Sequence, residues 1–251
     1  MRVERFRSDG VEIAYEVTGA GAPVLLIHGF ASNARVNWRD TLWINTLVEA
    51  GHRVIAYDNR GHGESGKLYD QAAYSASIMA EDARRLLDHL GIAAADVIGY
   101  SMGARLTALL AIRHGARVRR AVLAGLAANM IHGLGGAETI ARGFEAANPE
   151  TIADPAARAF RAFAEQTNSD LKALAACMRG QRQSMSTAEL GRIACPVLVV
   201  AGDADEIAGP VEPLVAAIPG ARGLTLPGRD HMRAVGDRRF KQAVVSFLAE
   251  A

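Results

Sequence analysis

Residues Asp96 to Ile112, DVIGYSMGARLTALLAI, constrain the fold of this 251-residue chain more than any other stretch. The apolar pair Val97-Ile98 runs into Gly99-Tyr100-Ser101-Met102-Gly103, and beyond it Leu106, Leu109, Leu110 and Ile112 recur at helical spacing. The pattern is strand, sharp turn, helix. Gly-x-Ser-x-Gly in that setting reads as a nucleophile elbow. A turn tight enough to present Ser101 at its tip brings the positions two before and two after it together, so a side chain is unwelcome at both. The helix that follows aims its unpaired N–H groups at any anion forming beside the serine. Small Gly103 and Ala104 would let that helix pack close to the sheet. Alone, the pentapeptide also fits an ordinary strand-to-helix turn with Ser101 as N-cap, so the rest of the chain has to supply the chemistry.

Half of the residues are apolar, enough for one large α/β domain over residues 1–251. The net charge is +1 with both signs interspersed, which gives no footprint for nucleic acid or for an anionic membrane and points to a small-molecule partner. The first ten residues, MRVERFRSDG, lack the apolar core of a secretion signal, and the longest apolar stretches are interrupted by Gly, Ser or Arg. A soluble, cytoplasmic protein is expected. Cys177 and Cys195 have neither zinc spacing nor the density of a disulfide scaffold, so both are expected to be reduced and structural.

In chain order, Arg2 to Arg7 and Val11 to Val17 read as strands joined at Asp9-Gly10, a dipeptide suited to a positive-φ hairpin turn. Val24 to Ile27 is a continuous apolar run, as in a strand covered on both faces, and empties into His28-Gly29-Phe30. A helix is expected from about Asn37 to Ala50, a strand over Arg53 to Tyr57, and a helix from about Ala72 to Leu90. Val118 to Ala124 is a strand, and residues 125–193 carry helical patches without a strand-like run, so they read as an insertion. Then come a strand at Val197 to Ala201, a helix over Pro213 to Ile218, a strand at Gly223 to Leu226 and a closing helix over Val235 to Ala249. This alternation predicts an α/β fold with a mostly parallel sheet and helices on both faces. Functional groups then belong at the carboxyl ends of the strands.

Ser101 needs a general base, and a neutral imidazole is the usual one. Of the seven histidines, His231 follows the last strand on a loop that can hang over the sheet edge, whereas His28 and His62 lie on strand-end loops without being obvious bases. A carboxylate must orient that base. Asp203, Asp205 and Glu206 compete for this place just past the strand ending at Ala201, while Asp58 reads as a turn former. The developing oxyanion requires fixed N–H donors, assigned to the backbone of Met102 and of Phe30.

His28-Gly29-Phe30, the turn Asp58-Asn59-Arg60-Gly61-His62-Gly63-Glu64-Ser65, the elbow at Ser101, Gly202-Asp203-Ala204-Asp205 and His231 together resemble the α/β-hydrolase superfamily. The order Ser, Asp, His matches it too. The resemblance implies an eight-stranded sheet with the second strand antiparallel and a helical lid, residues 125–193, after the sixth. By the family's Gly-x-x-Asp pattern the triad acid is Asp205, with Asp203 second, and the Asp58 to Ser65 turn is structural. Asp230 stands where relatives often carry Gly, which bears on the local turn and not on the triad. The expected function is a serine hydrolase that cleaves small, uncharged carboxylic esters through an acyl-enzyme. The alternatives are a perhydrolase, an enol-lactone or carbon–carbon bond hydrolase with the same triad, or a weakly catalytic ligand-binding receptor. Nothing suggests a cofactor or a metal. In the insertion, Phe160 and Phe163, and then Leu171, Leu174 and Met178, make apolar stripes expected to face inward, leaving Arg158, Arg161, Arg179 and Arg182 mainly in water.

Overall fold

The computed structural model describes residues 3–180 and 184–250. Among these, eight strands form one sheet: β1 (Glu4–Ser8), β2 (Val11–Thr18), β3 (Ala22–Ile27), β4 (His52–Tyr57), β5 (Ala95–Tyr100), β6 (Val118–Ala124), β7 (Val197–Gly202) and β8 (Arg222–Leu226). Their spatial order is β1-β2-β4-β3-β5-β6-β7-β8. β2 runs antiparallel to both its neighbours, and every other pair is parallel. The hairpin turn falls at Asp9 and Gly10, both at positive φ. Arg2, the expected start of the first strand, lies outside the described residues.

The apolar run in β3 shows why its neighbours had to cover it twice. Leu25 and Ile27 belong to one core, with α2 (Ala76–His89) and α3 (Met102–Arg113), while Val24 and Leu26 belong to the other, with α1 (Trp43–Glu49). Neither face of such a strand can meet water. Two of the expected helices are interrupted. The stretch after β3 is a wide helical turn, Arg35–Arg39, separated from α1 by Leu42 in a left-handed conformation at φ 65°. That break lets Trp38 and Trp43 both enter one core, edge-on at 6.0 Å. The helix expected from Ala72 begins at Ala76, because the Ser75 hydroxyl caps it on the Ile78 N–H, and a short turn, Gln71–Tyr74, precedes it.

Between β6 and β7 the chain forms α4 (Ala128–His132), α5 (Ala137–Glu145), α6 (Pro155–Gln166), α7 (Leu171–Gly180) and α8 (Thr187–Leu190). α5, α6 and α7 share a core in which Ile140, Phe144, Leu174 and Met178 meet Ala31 from the loop after β3. Of the arginines expected in water, Arg158 is exposed and Arg179 is half-buried between Glu138 and Glu145. Arg161 departs from the expectation: it is buried, and its Nη1 donates to the carbonyls of Gly143, Phe144 and Ala146 at 3.0, 3.2 and 2.9 Å. Those are the carbonyls left open at the end of α5, so the charge serves the helix terminus. Arg182 lies outside the described residues. The chain closes with α9 (Glu212–Ala217), α10 (His231–Ala234) and α11 (Arg238–Ala249). Cys177 and Cys195 are free thiols, and among the described residues no helix is long and apolar enough to cross a membrane.

Candidate active site

The elbow forms as its glycines require. A Cβ on Gly99 would lie 2.2 Å from the carbonyl oxygen of Gly103, and one on Gly103 would lie 1.9 Å from that of Ile27 in β3. Ser101 stands between them at φ 56°, ψ −113°, a backbone that a non-glycine residue adopts only under constraint. Its own N–H is held by the Ala124 carbonyl at 2.7 Å. The sheet and α3 thus hold the serine at the carboxyl edge of β5.

Asp205 and His231 reach the same point from the ends of β7 and β8. Nδ1 of His231 lies 3.0 and 2.9 Å from the two Asp205 carboxylate oxygens, and Nε2 lies 3.1 Å from the Ser101 hydroxyl. A carboxylate only accepts, so Nδ1 carries the proton and Nε2 is left to accept from the serine. Asp205 is buried and also receives the N–H groups of Ile207 and Ala208. Asp203, the second choice, is turned away: it is exposed, and its carboxylate accepts from Gly228 N–H at 2.7 Å. Glu206, the third competitor, is exposed at the pocket mouth. Asp230 caps α10 through the Arg233 N–H, which settles the turn in front of His231.

Met102 opens α3, so its N–H has no carbonyl within the helix to bond. The loop bearing Phe30 presses on the elbow: a Cβ on Gly29 would come within 3.3 Å of the Ser101 Cβ. That loop is fixed from below. His28 Nδ1 donates to the Gly29 carbonyl at 2.7 Å and its Nε2 accepts from Asn59 N–H at 2.9 Å, while Asn37 Oδ1 accepts from Gly29 N–H at 3.0 Å. Complete burial pushes His28 down to about 4 and His62, which also faces His28, down to about 3. Both imidazoles are neutral braces. Asp58 accepts from Ala34 and Glu64 N–H at 2.7 Å each, tying this loop to the next, and burial raises its carboxyl above the usual range.

Three neighbours of the site went unread in the sequence. Tyr100, the residue before Ser101, donates its hydroxyl to the His231 carbonyl at 2.5 Å and lays its ring 5.3 Å from the imidazole. Asn37 anchors the Phe30 loop. Arg105 is buried in α3 and lines a space of about 60 Å³ beside Ser101, Met102 and Phe30. A second space of about 530 Å³ also borders Ser101, lined by His231, Met232, Phe163 and, in common with the first, Phe160. Spacing carried one signal: Arg105 lies four residues after Ser101, one helical turn along the same face.

A family model for the alpha/beta hydrolase fold matches residues 22–168, and the chain belongs to that family. It is 41% identical over 116 residues to the non-heme chloroperoxidase CPO-A1 of Kitasatospora aureofaciens, covering 46% of this chain and 40% of that protein. It is 40% identical over 120 residues to a 2-hydroxymuconate semialdehyde hydrolase of Pseudomonas sp. strain CF600, covering 47% and 41%. Each match therefore spans less than half of the relative. The whole fold superposes on a hydrolase from Pseudomonas aeruginosa PA01 with a TM-score of 0.80 at 29% identity, covering 99% of this chain and 98% of the other.

Proposed function

We propose that the protein is a serine hydrolase that cleaves small carboxylic esters through an acyl-enzyme. The observation that carries this reading is the continuous hydrogen-bonded line from the Asp205 carboxylate through His231 to the Ser101 hydroxyl. Ser101 attacks the carbonyl carbon while His231 takes its proton, then returns it to the departing alkoxide; water repeats the sequence in reverse roles. Asp205 keeps the proton on Nδ1. The N–H groups of Phe30 and Met102 hold the oxyanion. Residues 125–193 act as a lid over the site, and the apolar wall that Phe160 and Phe163 contribute to the larger space suits an uncharged alcohol portion.

Turnover of 4-nitrophenyl acetate is the test. Ser101→Ala and His231→Ala should each lower kcat on the order of 10⁴- to 10⁶-fold, with the double variant scarcely worse, since nucleophile and base act as a unit. Full activity in Ser101→Ala would sink the acyl-enzyme. Similarity to a 2-hydroxymuconate semialdehyde hydrolase makes carbon–carbon bond hydrolysis with the same triad the second reading. An enzyme that ignores simple esters and cleaves a vinylogous diketone would favour it.

A further inference from the structure

Ser101 stands where two spaces of different character meet, and proton transfer assigns each of them to one half of an ester. His231 must hand its proton to the departing oxygen, so the alcohol half lies on the His231 side. His231 lines the larger space and does not line the smaller one. The acyl half is left to the space of about 60 Å³.

The chemistry of that smaller space is set by Arg105. It is 5% exposed, and among the described residues lining the pocket it is the single charged side chain; its companions there include Met102, Leu134 and Met178. A guanidinium keeps its charge under all ordinary conditions and spreads five N–H donors over a plane, so it gives this wall a fixed positive charge. The sequence predicts uncharged esters, and the charge that departs from this lies outside the insertion, on α3.

We propose that the acyl pocket recognises a terminal carboxylate through Arg105, so that the substrates are half-esters of short dicarboxylic acids. This rests on the acyl-enzyme reading above. Size supports short chains: at about 10–15 Å³ for each water-sized group, the pocket holds about four to six non-hydrogen atoms. The tail of a malonyl group has four and that of a succinyl group five. The planar fork of arginine matches a carboxylate in two parallel hydrogen bonds, which fixes the acyl chain as well as binding it. In the reaction a bond forms from Ser101 Oγ to the carbonyl carbon and the bond to the alcohol oxygen breaks. The serine proton leaves on the alcohol, and water then releases the dicarboxylic acid. The remote carboxylate stays on Arg105 throughout.

Monobenzyl succinate and benzyl levulinate test this, since their acyl groups match in size and differ in ending as a carboxylate or a methyl ketone; benzyl acetate reports ester cleavage itself. The wild-type protein should favour the half-ester over the levulinate in kcat/KM by roughly 10- to 150-fold, the range for hydrogen bonds to a charged group. In Arg105→Met that ratio should fall at least tenfold, with Arg105→Lys intermediate. A wild-type ratio at or below one, or a ratio untouched in Arg105→Met, overturns the proposal. Should Arg105→Met not fold, the wild-type ratio and its fall in Arg105→Lys decide. If none of the three esters is cleaved, the esterase reading has failed separately, and calorimetry of monobenzyl succinate with Ser101→Ala then tests the site: binding lost in Ser101→Ala/Arg105→Lys upholds it, and equal binding of the levulinate ester overturns it.

Discussion

Acid should destabilise this protein well before its carboxylates titrate, because two fully buried histidines brace the Phe30 loop in their neutral form. Burial holds His28 at about 4 and His62 at about 3, against an ordinary value of 6.5. In the unfolded chain both imidazoles bind a proton as the pH drops below about 6.5, while in the folded protein neither does until about 4. Stability is therefore complete above the unfolded value and is lost as the pH falls through the window between the two. From pH 6 to pH 5 each histidine removes about 1 kcal/mol, and from pH 7 to pH 5 the pair removes about 4 kcal/mol. That is a large part of the roughly 5–15 kcal/mol that holds a domain together. Asp58 opposes the trend, since its raised carboxyl takes up a proton more readily in the folded state. A variant isolates the histidine contribution. Phe at position 62 keeps a ring against Phe30, which now meets His62 edge-on at 5.7 Å, and removes the titration. Urea unfolding of wild type and His62→Phe at half-unit steps from pH 7.5 to 5 should give slopes that differ by about 1 kcal/mol per pH unit. The variant loses the bond from His62 Nδ1 to the Arg60 carbonyl, so its stability at pH 7.5 should be lower and its slope shallower. Parallel slopes would refute the buried neutral pair.

Asp205→Asn should lower kcat on the order of 10²- to 10⁴-fold by losing the tautomer that presents Nε2 to the serine, whereas Asp203→Asn should stay near wild type; steady-state ester kinetics with the reverse order would move the triad acid to Asp203. Gly103→Ala should cost on the order of 10² in kcat/KM, because its methyl group meets the Ile27 carbonyl and pushes α3, with the Met102 N–H, off the serine; normal activity in that variant would show that the helix can slide without harm. Arg161→Met should destabilise the protein by about 3 kcal/mol in urea unfolding, since it strips the carbonyls at the end of α5 of a buried charged donor. A change below about 0.5 kcal/mol, the value typical of surface sites, would mean that water replaces it freely.

Much of the scaffold was legible because its causes are local. A four-residue apolar run such as Val24 to Ile27 can only be covered twice, Asp9-Gly10 can only turn, and Gly99 and Gly103 announce a contact that no larger residue permits. Asp205 lay within reach of the same local reasoning only after the family pattern chose it over Asp203 and Glu206. What decides among the three is which carboxylate turns toward β8, and the backbone N–H groups of Ile207 and Ala208 set that direction. Nothing in the run of acids distinguishes them.

The arginines show where local reading stops. Arg161 and Arg105 occupy helices whose neighbours in sequence look alike, small residues with scattered apolar ones, and periodicity assigns a charge to the wet face by default. Arg161 instead covers the end of α5, a partner 15 to 18 residues away in the chain. Arg105 sits on α3, which has no wet face in its first two turns: every residue from Met102 to Ala108 is buried. A charge there cannot reach bulk water by rotating, and one turn past Ser101 it borders a pocket. The elbow that fixes Ser101 by its glycines therefore fixes more than the serine. The same helix carries the Met102 N–H at its first residue and Arg105 at its fourth, so in the proposed reaction one rigid element and its N-cap would supply attack, one oxyanion contact and the charge of the acyl pocket.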